Sequence, residues 1–282
     1  MFGRPRLGRH RVGIDSTSVS VGDANVSIVS IETARWLLDD ANAAFHDPDH
    51  PCHRFCNTQD TQCDHLTWEQ WQLPVPFLGR QAKRGLLFLG FNPSFGGEVG
   101  SPRGGISLEA YYRYWSDLPD SAFAERQAQL YQRYTELGEL GADGAFQLGS
   151  DALAMDAIPY RSATGWEAWS PEIWNYLKDR YAGAVLRECA PRVVVTSGAW
   201  ALWCLRDLVA DLASTLPEAL RLRDWQGKVL TVATEWGEAS VLPLPHLTAA
   251  FGVSRDDRSE FGRRLHEVLS TSTHEEIDFG RG

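Results

Sequence analysis

Short apolar runs that alternate with helix-like segments constrain this chain more than any other feature of its sequence. Three runs have strand length, at 86–91 (LLFLGF), 152–158 (ALAMDAI) and 192–198 (RVVVTSG). Two more, at 228–234 and 239–245, supply further strand. Continuous apolar runs are typical of strands that are buried on both faces of a parallel sheet. The sequence therefore predicts an α/β fold with three layers, α/β/α, around a central, mostly parallel sheet of four strands.

Helical spacing of apolar residues fills the segments between these runs. It occurs at 31–45, 108–116, 122–138, 171–189, 199–213 and after 254. Ser170 followed by Pro171 is a good helix start, because serine caps a helix and proline fits its first position. Ser254 similarly precedes the last helix. This spacing predicts the helices that cover the sheet.

Composition is that of an ordinary globular protein. The chain has 282 residues, of which 43% are hydrophobic and 23% charged, which suits one large α/β domain or two small ones. We predict a basic N-terminal arm (1–23), a single domain (24–270) with a Cys/His-rich insertion (46–65), and a polar tail (271–282).

Charge and hydropathy limit the kinds of partner that we expect for this protein. No stretch approaches membrane-spanning length and the N-terminus lacks an apolar targeting segment, so we expect a cytoplasmic monomer that does not bind membranes. The net charge of −10 argues mildly against bulk attraction to nucleic acid, although binding depends on local patches.

Polar motifs follow three of the apolar runs. These are GFNPSFGG from 90, MDAIPYRS from 155 and PHLTAAFG from 245. Parallel strands place their carboxyl ends at one edge of a sheet, where α/β folds bind ligands. We therefore expect the three motifs to converge on one crevice.

Taken together, these motifs resemble those of the uracil-DNA glycosylase superfamily, in the correct order over roughly 85–270. The first catalytic motif, Gly-x-Asn/Asp-Pro-small/Tyr, corresponds to GFNPS at 90–94, and the base-reading position of the middle strand to Asp156. The second catalytic motif corresponds to PHLT at 245–248. The resemblance implies a glycosylase fold, DNA as the partner, and a base that is flipped out of the duplex.

The resemblance also implies catalytic roles for Asn92 and His246. Asn92 would hold a water beside the anomeric carbon, and His246 would donate to the 2-oxygen of the departing base. Leu247 and Thr248 stand where the family often has proline and serine, and a shifted alignment leaves the role of His246 open. The alternatives are a turn-forming asparagine and a buried structural histidine.

Further contacts follow from the same resemblance. Base contacts are predicted for Asp156, Phe91, Ser94 and Phe95. An intercalating residue is expected soon after the second motif, with Phe251 as first candidate and Leu247 as second. Other DNA contacts are predicted for Ser94, Ser101, Thr248 and Arg161.

Two positions bear on which base is excised. Uracil enzymes carry asparagine where this chain has Asp156, and an ionised carboxylate can only accept, which suits the exocyclic amine of cytosine. The ring nitrogen of cytosine is also an acceptor, so it or Asp156 must carry a proton. Ser94 stands where tyrosine blocks 5-substituents in the uracil-specific branch. We therefore expect a 5-substituted cytosine, as in some phage DNA. Alternatively, Asp156 caps the nearby loop or pairs with Arg161.

Three cysteines and a histidine cluster within the insertion, as Cys52, Cys56, Cys63 and His65. Zinc binds three thiolates and one imidazole tetrahedrally, so a zinc site is one hypothesis and free thiols in a polar loop are the other. Hydrolysis of a glycosidic bond needs no metal, so the zinc would be structural and catalysis would require no cofactor.

Three other functions stay open. The first is a repair glycosylase for uracil or 5-hydroxymethyluracil, and the second is a non-catalytic DNA-binding module of the same fold. The third, a Rossmann-like nucleotide enzyme, is disfavoured because no G-x-G-x-x-G or P-loop spacing follows the first strand. No lysine stands in the motifs for Schiff-base chemistry, so we expect a monofunctional enzyme.

Overall fold

A mixed sheet of five strands forms the centre of the protein in a computed structural model, which describes residues 29–55, 66–79, 85–93, 102–116, 136–137, 152–162, 170–246 and 253–274. The strands are β1 Leu86–Gly90, β2 Ala152–Asp156, β3 Val193–Ser197, β4 Leu230–Thr234 and β5 Gly237–Leu244. Their order is β2-β1-β3-β5-β4. The first four in this order run parallel, which confirms a mostly parallel sheet.

The prediction of four strands is wrong, because β4 adds a fifth strand at one edge. Glu235 and Trp236 alone separate β4 from β5, so the two strands form a hairpin and pair antiparallel. Only the central residue of β4, Val232, is buried. A single buried position is consistent with a strand at the edge of the sheet.

Both faces of the sheet are covered along its central strands. Successive residues of a strand point to opposite faces, yet every residue of β3 and all but the last of β1 and β2 are buried. This is the burial expected of a parallel sheet between helical layers.

Seven α-helices accompany the sheet in the described ranges. They are α1 Ile31–His46, α2 Leu108–Ser116, α3 Pro171–Leu177, α4 Gly183–Cys189, α5 Ala199–Leu208, α6 Ala210–Thr215 and α7 Arg255–His274. A π-helical turn, Lys178–Ala182, joins α3 to α4 where the sequence predicts one continuous helix. The predicted helix at 122–138 lies outside the described residues except for 136–137. None of the described helices is long and apolar enough to cross a membrane.

A buried carboxylate ties α1 to the rest of the domain. Asp40 on α1 accepts hydrogen bonds from the hydroxyls of Tyr160, after β2, and Tyr176, on α3. The imidazole Nε2 of His50 lies 3.2 Å from the same carboxylate. Since a buried carboxylate needs hydrogen-bond donors, this network fixes the position of α1 against the loop that follows β2.

We expect S170A to lower the free energy of unfolding by about 1 kcal/mol, because the Ser170 hydroxyl caps α3 by accepting from the Ile173 amide at 3.2 Å. Ser30 is a matched control, since it occupies the N-cap position of α1 without a side-chain cap bond. Urea denaturation of both variants checks this. Equal losses for S170A and S30A would contradict it.

Candidate active site at the carboxyl edge of the sheet

Three side chains singled out in the sequence lie at the same edge of the sheet. Asp156 is the last residue of β2, while Asn92 and His246 come two residues after the ends of β1 and β5. These strands are parallel, so their carboxyl ends share one edge. β2 and β5 are three inter-strand steps apart, or about 14 Å.

The Asp156 side chain lies directly over Gly90 of β1, its partner in the parallel ladder. A Cβ atom built at Gly90 would stand 1.9 Å from the Asp156 Oδ1, which is far inside any allowed contact. Glycine at this strand end is therefore required by the carboxyl group that covers it. The Asp156 carboxyl is thus aimed from β2 towards β1 and the segment that carries Asn92.

Both protonation states of Asp156 are accessible near neutral pH. The residue is half-buried, and its side chain makes no hydrogen bond or ion pair with another residue of the described ranges. Burial raises its pKa to about 7, against the smaller lowering effect of the Arg161 charge. A carboxyl that is desolvated without compensation is a marker of functional sites.

Arg161 lies inside the domain. Its side chain is buried, with 4% of the residue exposed, and its guanidinium carbon lies 5.9 Å from the ring centroid of Trp115 on α2. Arg161 therefore supplies a positive charge inside the domain beside Asp156, and its predicted contact with DNA stays a prediction.

Two hydrogen bonds hold the Asn92 side chain in place. Its Nδ2 donates to the Ser162 hydroxyl at 2.6 Å and to the Pro93 carbonyl at 3.2 Å. The Ser162 amide donates to that same carbonyl at 3.2 Å. The Asn92 Oδ1 accepts no hydrogen bond from the residues that the structure describes. The amide therefore presents an acceptor at this edge.

His246 lies against Gly198, the residue that follows β3. A Cβ atom built at Gly198 would be 3.7 Å from the His246 Cβ and 3.8 Å from its Cδ2, and the φ angle of Gly198 is +91°. His246 is exposed to solvent as a residue, while neighbouring groups desolvate part of its imidazole. Partial desolvation lowers its pKa below the usual value, so the imidazole is neutral at pH 7.

Asp156 and His246 therefore face two neighbouring strands, β1 and β3, although they come from strands three steps apart. An aromatic pair lies in the same region: Phe91 and Trp200 have ring centroids 5.6 Å apart and planes inclined by 30°. Trp200 belongs to the first turn of α5, directly after β3. Every parallel strand of the sheet thus contributes a residue to this edge.

Sequence reasoning missed two of these residues, Ser162 and Trp200. A signal existed for Trp200, because it comes two residues after Gly198, which directly follows the end of β3, much as Asn92 comes two residues after Gly90. Ser162 belongs to the MDAIPYRS motif expected at this edge, but its hydrogen bond to Asn92 spans 70 positions of the chain and has no sequence signal.

Six predicted contacts lie outside the described residues and stay predictions. They are Ser94, Phe95, Ser101, Leu247, Thr248 and Phe251.

The Cys/His cluster is described only in part. The Cys52 thiol is buried, and burial raises its pKa, which favours the neutral thiol. Two nearby histidines have structural partners: His50 bonds Asp40, and the Nδ1 of His53 lies 2.6 Å from the Ala44 carbonyl oxygen. In the described part of the chain, no group of three His, Cys, Asp or Glu side chains could hold a metal. Cys56, Cys63 and His65 lie outside it, so the zinc site stays a prediction.

A cavity of about 500 Å³ lies near the opposite, amino edge of the sheet, beside the β4–β5 hairpin. Four of the charged groups that line it form two ion pairs: Lys178 lies 3.4 Å from Asp207, and Arg187 lies 3.1 Å from Glu235.

The chain matches no protein-family model and no curated protein.

We expect D156N to stabilise the protein more at pH 8 than at pH 5. The pKa of Asp156 is about 7 in the folded protein and near 4 in the unfolded chain, so the folded state binds the proton more tightly. Stability therefore falls as the pH rises through this window, and an amide removes that loss. Urea denaturation of both proteins at the two pH values checks this. The same stability difference at both pH values would contradict it.

Proposed function

We propose that this protein is a monofunctional DNA glycosylase that hydrolyses the N-glycosidic bond of a modified pyrimidine, leaving an abasic site. The observation that supports it best is the convergence of an amide, an unpaired carboxyl and an imidazole at one sheet edge, after three parallel strands. Asn92, Asp156 and His246 are also the positions at which the sequence resembles the uracil-DNA glycosylase superfamily.

Breaking this bond places positive charge on the sugar and negative charge on the departing base. An effective site therefore orients a water on one side and supplies hydrogen-bond donors to the base on the other. The Asn92 Oδ1 is suited to the first task, because it is an acceptor at the site edge. An amide does not take up the proton of the water at neutral pH, so Asn92 orients the water rather than deprotonates it.

His246 is suited to stabilise the departing base. Its lowered pKa keeps the imidazole neutral, and a neutral imidazole still has one N–H to donate. Donation to the 2-oxygen of the base stabilises the charge that develops there. Loss of one such donor typically slows a reaction by about 10²–10³-fold.

Asp156 is suited to read the edge of a cytosine derivative. One carboxyl oxygen accepts from the exocyclic amine, and a single proton is shared between the other oxygen and the ring nitrogen. A carboxyl with a pKa of about 7 supplies that proton near neutral pH. With the small Ser94 predicted beside the 5-position, we propose a 5-substituted cytosine, hydroxymethylated or glucosylated as in phage DNA, and a role in defence against such DNA.

The raised pKa of Asp156 also supports a second candidate, a glycosylase for uracil or 5-hydroxymethyluracil. A protonated carboxyl donates to the 4-oxygen of uracil and accepts from its ring N–H, much as an amide does. An ionised carboxylate cannot donate. Whether the base is a cytosine or a uracil derivative, its pairing with Asp156 therefore requires one proton that lies on the carboxyl or is shared between the carboxyl and the base.

We expect the protein to create alkali-labile abasic sites in DNA that carries 5-hydroxymethylcytosine or its glucosylated form. The duplexes with uracil and 5-hydroxymethyluracil test the second candidate in the same assay. N92A should be slower by about 10²-fold or more, as for other losses of transition-state positioning. N175A is the matched control, because Asn175 is an exposed asparagine on α3.

Cleavage of the uracil-type duplexes alone would favour the second candidate. DNA binding without cleavage of any duplex would contradict the enzyme and favour a non-catalytic DNA-binding module. Equal rates for N92A and the unmodified protein would contradict the catalytic role of Asn92.

The pH dependence of the reaction rate tests the role of Asp156 separately. The rate should fall above about pH 7, where the carboxyl loses its proton. D156N has no proton to lose, so this fall should disappear. A fall that persists in D156N would assign the titration to another group.

A further inference from the structure

Three hydrogen bonds hold the Asn92 side chain in one orientation. Two start from its Nδ2, to the Ser162 Oγ at 2.6 Å and the Pro93 carbonyl oxygen at 3.2 Å. The third runs from the Ser162 backbone amide to the Pro93 carbonyl at 3.2 Å. Ser162 is buried, with 3% of the residue exposed. The three bonds close a small ring between the segments that follow β1 and β2.

The Pro93 carbonyl determines which end of the Asn92 side chain faces it. A carbonyl oxygen can only accept, so the facing group must be the NH2 and not the Oδ1. Its two hydrogens match the two acceptors, Pro93 O and Ser162 Oγ. The Oδ1 is consequently turned away from both. A carboxylate at position 92 would instead place an oxygen against the Pro93 carbonyl, where like partial charges repel.

We propose that Ser162 is the positioning residue for Asn92. Together with the Pro93 carbonyl, it forms a seat that accepts an amide, excludes a carboxylate, and presents the Oδ1 to the attacking water. The role of the water rests on the proposed glycosylase function, whereas the amide seat itself does not. Ser162 lies six positions after Asp156, so one segment carries both the base-reading carboxyl and the group that orients Asn92.

Kinetics tests the catalytic part of this proposal. S162A should lower kcat by on the order of tenfold with little change in KM, because a positioning bond is lost while DNA contacts remain. S162T keeps the hydroxyl and should recover most of the rate. In the N92A background, S162A should cause no further loss, since the two residues act through one bond. N92D should be as slow as N92A at pH 8. Additive losses from S162A and N92A, or a fast N92D, would overturn the proposal.

Amide exchange tests the seat without relying on activity. In side-chain ¹⁵N spectra, the Asn92 NH2 hydrogens should exchange with water much more slowly than those of the exposed Asn175. S162A should remove this protection while the protein stays folded, as judged by its other amide signals. Protection without any glycosylase activity would support the seat and count against the proposed function. Exchange as fast as that of Asn175 would overturn the seat, whatever the activity.

Discussion

The hydrogen-bond ladder between β1 and β2 does not stop where the strands end, and the whole carboxyl edge depends on this continuation. The amides of Ala157 and Ile158 donate to the carbonyls of Gly90 and Phe91 at 3.0 and 2.9 Å. The Ser162 amide then donates to the Pro93 carbonyl. Segments that would otherwise be independent loops are thus held in one register. This register places the Asp156 carboxyl over Gly90 and Ser162 beside Asn92.

The continued β1–β2 ladder holds this edge in place although the desolvated Asp156 carboxyl destabilises the folded state. The Asp156 carboxyl loses solvation and finds no donor among the described residues, which is why its pKa is raised to about 7. The buried carboxylate of Asp40, in contrast, accepts hydrogen bonds from two tyrosine hydroxyls. An unsatisfied carboxyl on a strand end suits a ligand-binding site, because the hydrogen-bond donors are then supplied by the ligand.

The sequence predicts the parts of this structure that depend on local pattern. The apolar runs locate all five strands to within two residues, and Ser170 and Ser254 cap their helices as expected. Some features of the fold are not predicted by apolar spacing. The π-helical turn at Lys178–Ala182 interrupts a segment whose apolar spacing predicts one continuous helix.

Some features of the candidate site could likewise be predicted from the sequence, and others could not. Asn92, Asp156 and His246 follow strand ends, so their convergence could be predicted from sequence alone. The burial of Arg161 depends on Trp115, and the seat of Asn92 on Ser162, which is 70 positions away. These contacts arise only from the fold. The protonation of Asp156 also depends on the fold, since burial and not residue type raises its pKa.

The most direct test of the account is to identify what the protein releases from DNA. Phage-type DNA that contains glucosylated 5-hydroxymethylcytosine would be incubated with the protein, and the small-molecule fraction analysed by mass spectrometry. A glycosylase of the proposed kind releases the free modified base and leaves the sugar–phosphate backbone intact, and N92A releases nothing. Release of nucleosides or nucleotides, or of nothing from any modified or uracil-containing DNA, would contradict the proposed function.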